Sequence, residues 1–172
     1  MLRFLFRNCS IFTFLGIPIL AVWNPRLFSI MDIQPNWPIF WLLPWSIING
    51  PINGSLTGLF LGIILDILNN DFYTQIPGFI ICGFWFGKVG FKNKKQMINY
   101  QYGLLASIGC FICGIIYFVQ ILLNHLLEEK NFFLFNYGLK IISTQIFLTG
   151  LLAPVFCYWL FVLFKYKKRL NF

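Results

Sequence analysis

Long stretches of this chain carry no charge, and that constrains the fold more than any motif does. Residues 102–123 have no charged side chain, and residues 139–164 have only Lys140. A helix rises about 1.5 Å per residue, so runs of this length cover the roughly 30 Å hydrocarbon core of a bilayer. A soluble fold would need polar residues to coat such helices, and they are absent. Hydrophobic residues make up 59% of the chain and charged residues 10%, against about 45–50% and about 25% in soluble domains. The expectation is an all-α, polytopic helix bundle in a membrane, with no separate soluble domain.

Six apolar segments predict the spans: residues 4–23, 38–48, 54–68, 76–87, 102–123 and 139–164, forming a single transmembrane domain. The first follows Arg3 and Arg7 and lacks a small-x-small cleavage site, so it reads as a retained helix and not as a removed signal. The next three are short. An 11-residue run such as 38–48 rises about 16 Å, well under the hydrocarbon thickness. Such segments either extend through their flanks or form a hairpin shielded by longer helices, because an interrupted backbone is tolerated at membrane depth only where protein or a cavity covers it. The middle of the chain is therefore expected to be its interior. Residues 88–101 and 124–138 are expected as loops.

The net charge of +8 comes from basic residues lying beside apolar runs, where they act as topology signals. With the N-terminus inside, the inner face receives Arg3, Arg7, Lys88, Lys92, Lys94, Lys95, Lys165, Lys167, Lys168 and Arg169. Only Arg26, Lys130 and Lys140 fall outside. Both termini are then cytoplasmic, and the basic loop and tail face anionic lipid. No nucleic-acid partner is expected. Trp23, Trp37, Trp41 and Trp45 are expected as an interfacial aromatic belt.

Gly50, Gly54, Gly58, Gly62 and Asp66 recur every four residues, which places them along one helical face. Missing side chains let a neighbouring backbone approach, and close packing drives helix association where lipid offers no hydrophobic drive. The ribbon is either a packing surface or a groove for a ligand or partner helix. Asp66 is the acid inside an apolar run, where a charge is costly. It either anchors the turn at residues 69–71 through backbone amides or binds an ion or ligand. Cys110-x-x-Cys113 has no second pair and reads as small packing residues, not as a redox or metal motif. His125 with Glu128 and Glu129 reads as a solvated helix end. The sequence contains no His-Glu-x-x-His, no Gly-x-Ser-x-Gly elbow, no phosphate-binding loop and no metal-ligand cluster. No enzymatic activity, cofactor or metal is expected.

Three blocks carry a resemblance. Pro35-Asn36-Trp37 opens the second segment, which also holds Trp45. Gly58-x-x-x-Gly62-x-x-Leu65-Asp66 lies in the third segment. Gly150-x-x-x-Pro154 lies in the last, which closes on a Lys/Arg tail. In this order and spacing the chain resembles the MreD family, the small membrane subunit of the bacterial rod-shape (cell-elongation) system. The resemblance implies a multi-pass protein of the bacterial plasma (inner) membrane acting as a non-enzymatic adaptor. Its partners would be an MreC-like single-pass scaffold, MreB filaments and the enzymes of peptidoglycan synthesis. The family is also distantly similar in fold to the substrate-binding subunits of vitamin transporters, which supplies the alternative function. The Ala-x-x-x-Ala coupling ribbon of those subunits is missing, since the first segment offers only Thr13, Gly16 and Ala21.

Overall fold

In the computed structural model, residues 33–69, 73–92, 99–128 and 133–170 are described, with the isolated positions 16 and 29. Five helices occupy them: α1 (Trp37–Asn49), α2 (Pro51–Asn69), α3 (Ile76–Lys92), α4 (Asn99–Glu128) and α5 (Phe133–Leu170). The expected first span lies outside the described residues except for Gly16, which is helical.

Three stretches are long and apolar enough to cross a membrane: Pro51–Leu68, Tyr100–Leu123 and Lys140–Lys165. The apolar part of α3, Ile76–Gly90, is shorter. Large hydrophobic side chains such as Ile52, Phe60, Leu104, Phe147, Leu151 and Val155 face outward, as they do on a helical membrane protein whose solvent is lipid. Several expected boundaries shift. Residues 54–68 are the interior of a longer helix, because the weakly apolar Pro51-Ile52-Asn53 flank supplies its first turn. The expected loop over 124–138 is helical up to Glu128 and again from Phe133. Polar residues there extend the helices beyond their apolar runs, since leaving hydrocarbon does not oblige a helix to stop.

The short helix α1 is the centre of the fold. Its 13 residues rise about 20 Å, and it touches each of the other four described helices. Trp37, Ile39, Phe40, Trp41, Leu42 and Leu43 are all buried. The aromatic belt expected at residues 37 and 41 is therefore corrected: both tryptophans sit in the core. Trp41 stacks on Trp45 with centroids 5.0 Å apart, and Phe164 of α5 meets Trp45 edge-on at 5.3 Å. The chain leaves α1 through Gly50 alone, at φ +92°. That left-handed backbone favours glycine and lets α2 start at once.

Two prolines inside helices leave carbonyls without their usual donors, because proline has no N–H. Pro44 cannot donate to the carbonyl of Phe40, and the thiol of Cys157 on α5 donates to it instead at 3.4 Å. Pro154 likewise cannot donate to Gly150. The Gly150 carbonyl faces Gly103 of α4, where an added Cβ would lie 2.9 Å from it. The Gly150-x-x-x-Pro154 block thus marks a close crossing of α4 and α5.

Candidate functional site

The glycine ribbon resolves into two roles. Gly54, Gly58 and Gly62 of α2 lie against the backbone of α3. A Cβ on Gly58 would collide with the carbonyl of Phe79, one on Gly54 with that of Gly83, and one on Gly62 would lie 2.7 Å from the Cα of Ile76. Rising numbers on α2 meet falling numbers on α3, so the pair is antiparallel. It is also the most extensive helix pair among the described residues. Gly50 stands apart: space around its missing side chain is open, and its backbone is what Gly87 approaches. Sequence reading missed the α3 side of this contact, although Gly83-x-x-x-Gly87 has the same spacing and could have revealed it.

Asp66 closes the ribbon beside the start of α3. Its Oδ1 accepts a hydrogen bond from the backbone N–H of Gln75 at 2.9 Å. The anchored backbone shown is the one that opens α3, while Asn70 and Asp71 of the expected Asn69-Asn70-Asp71 turn lie outside the described residues. Gln120 of α4 holds the neighbouring residue from the other side. Its Oε1 accepts from the Thr74 N–H and its Nε2 donates to the Thr74 carbonyl, both at 2.9 Å. Residues 73–75 are therefore fixed by side chains from two helices.

This pinned segment forms one wall of a cavity of about 450 Å³. Tyr73, Thr74, Gln75 and Gly78 contribute that wall, and Cys113, Gly114, Ile116, Tyr117, Phe118 and Ile121 of α4 form the second. Gly138, Ile141, Ile142 and Gln145 of α5 form the third, and Asn36 completes the lining. Tyr73 and Tyr117 meet edge-on with centroids 5.4 Å apart. None of these residues carries a charge at neutral pH. The size lies within the usual range of small-molecule sites, about 300–1,000 Å³.

Of the family-block residues described, Asn36 lines the cavity and the others do not. Pro35 and Trp37 are buried at the head of α1, and Asn36 between them donates its backbone N–H to Thr149 Oγ1 at 3.0 Å. Thr149 in turn donates to Cys110 Sγ at 3.8 Å. Cys113, three residues along α4, lies with its sulfur 3.6 Å from that of Cys82. Both are free thiols, and among the described residues no group of three or more potential metal ligands assembles.

Helix α3 is antiparallel to α4, and α4 to α5, so α3 and α5 run in the same direction. Their basic ends, with Lys88 on α3 and Lys165 on α5, lie toward the end of the bundle opposite the cavity. Lys165 Nζ sits 5.8 Å from the centroid of the Phe161 ring. Helical backbone continues through Lys92 and through 167–169, while Lys94 and Lys95 lie outside the described residues. No protein-family model, curated protein or solved structure matches the chain.

Proposed function

We propose that this chain is a non-enzymatic adaptor of the bacterial cell-shape machinery, a multi-pass protein of the plasma membrane that binds an MreC-like scaffold and helps position peptidoglycan synthesis. The observation that carries the reading is where the family blocks fall. Gly58 and Gly62 are the close contact of α2 with α3, Gly150 and Pro154 form that of α4 with α5, and Trp37 and Trp45 pack along α1. Blocks spent on helix packing support a scaffold, whose outward apolar faces remain for lipid and for a partner's membrane helix. In this reading six helices span, both termini are cytoplasmic, the basic ends of α3 and α5 face anionic lipid, and the cavity opens to the outside.

The cavity favours a second reading, the substrate-binding subunit of a small-solute transporter. Purification in mild detergent, with mass spectrometry of proteins and small molecules, separates the two. An MreC-like single-pass protein should be recovered without a stoichiometric solute. A stoichiometric solute together with an ATPase module, and no wall-synthesis partner, would overturn the adaptor.

The orientation has its own test. In a cysteine-free background, Asn131→Cys should react with a membrane-impermeant thiol reagent added to intact cells, and Asn93→Cys should not. The reverse pattern would invert the topology.

A further inference from the structure

We infer that the cavity between α3, α4 and α5 is a binding site for an uncharged, planar small molecule that carries a carboxamide, lactam or imide edge. The inference rests on the cavity alone and stands whether the chain works as an adaptor or as a transport subunit.

The lining sets the chemistry. Asn36, Gln75 and Gln145 come from three separate parts of the chain, and each carries a primary amide that both donates and accepts. A ligand edge offering a donor beside an acceptor matches such groups. An acyl chain would leave them without partners, and burying an unpaired polar group is unfavourable. A charged ligand would lose its hydration without meeting an opposite charge, since no Asp, Glu, Lys, Arg or His lies among the described lining residues. Tyr73, Tyr117 and Phe118 provide ring surface, and Ile121, Ile141 and Ile142 provide flat aliphatic surface. Gly138 leaves open space where a side chain would stand, whereas Gly78 and Gly114 let Cys113 and Ile142 pack close. The site is also held ready. Thr74 and Gln75 lie ahead of α3, outside regular helix, and Asp66 and Gln120 hold them by three hydrogen bonds. A preformed site avoids the ordering cost that weakens binding.

The test uses the full chain in lipid nanodiscs and two isosteric probes, 2-naphthamide and 2-naphthoate, followed by equilibrium dialysis at neutral pH. Saturable binding of one naphthamide per chain is expected, at least about tenfold tighter than naphthoate. Gln75→Leu and Gln145→Leu should each weaken naphthamide by about tenfold while melting like the parent in the absence of probe. The comparison of the two probes on the parent protein needs no variant and stands if either variant fails to fold. Non-saturable uptake of naphthamide, or equal affinity for the two probes, would overturn the proposal. So would a tightly retained phospholipid that naphthamide leaves in place in native mass spectrometry, because an acyl chain would then be the occupant.

Discussion

Gly58→Leu should be among the most damaging single substitutions in this protein. The clash begins at Cβ, which meets the carbonyl of Phe79, and backbone of a packed helix cannot swing aside as a side chain does. The remaining atoms of leucine then force α2 and α3 apart along their whole contact, which includes the reciprocal approach of Gly83 to the Gly54 carbonyl. Overpacking typically costs about 1–3 kcal/mol, and more where the surroundings cannot yield; the upper end applies here. Gly58→Ala should already destabilise, because the first added carbon is the one that collides. Gly138→Ala is the matched control. Nothing lies within 4 Å of a Cβ there, and alanine favours the helix over glycine by about 1 kcal/mol. Thermal melting in detergent with size-exclusion chromatography should show Gly58→Leu largely lost and Gly138→Ala at or above the parent. Parent-like melting of Gly58→Leu would mean that this face of α2 does not pack on α3.

The second large effect is expected at Trp41. Its side chain is 2% exposed, whereas Trp159 is 63% exposed. Truncating a buried aromatic to alanine costs about 3–5 kcal/mol through lost burial and the cavity left behind. At Trp41 the loss also removes the stack on Trp45 and the edge contact with Phe164. Trp159→Ala should stay within about 0.5 kcal/mol, the usual range for a surface position, because its ring lies on the outside of α5. The same melting measurement decides. Equal sensitivity at the two positions would place Trp41 at the periphery and remove α1 from the centre of the bundle.

That contrast shows where sequence reading stops. Both tryptophans sit in apolar runs, and in a membrane protein hydrophobicity does not separate inside from outside: the lipid-facing surface and the core are alike apolar. In water, periodicity would have sorted Trp41 from Trp159. In lipid that signal is absent, and the belt expected at residues 37 and 41 became part of the core.

Glycine and proline carried more information. Their meaning is conformational and steric and does not depend on the solvent. The four-residue spacing of Gly54, Gly58 and Gly62 made a close backbone contact legible before its partner was known. Pro44 and Pro154 lack an N–H whatever surrounds them. Tertiary structure alone decided which groups met the consequences, with Cys157 donating to Phe40 and Gly103 lying against Gly150.

The sequence by itself determined that this is an all-helical membrane chain, where its long apolar runs lie and which face of α2 is smooth. It pointed to an anchoring role for Asp66 but not to Gln75, nine residues further along the chain. The cavity depended on tertiary structure throughout. Gln75, Gln120 and Gln145 are unmarked by any motif and far apart in the sequence, and only the antiparallel packing of α3, α4 and α5 gathers them at one end of the bundle, beside Asn36. Helix faces are a local property of spacing, whereas a cavity is a property of how separate helices fail to fill the space between them.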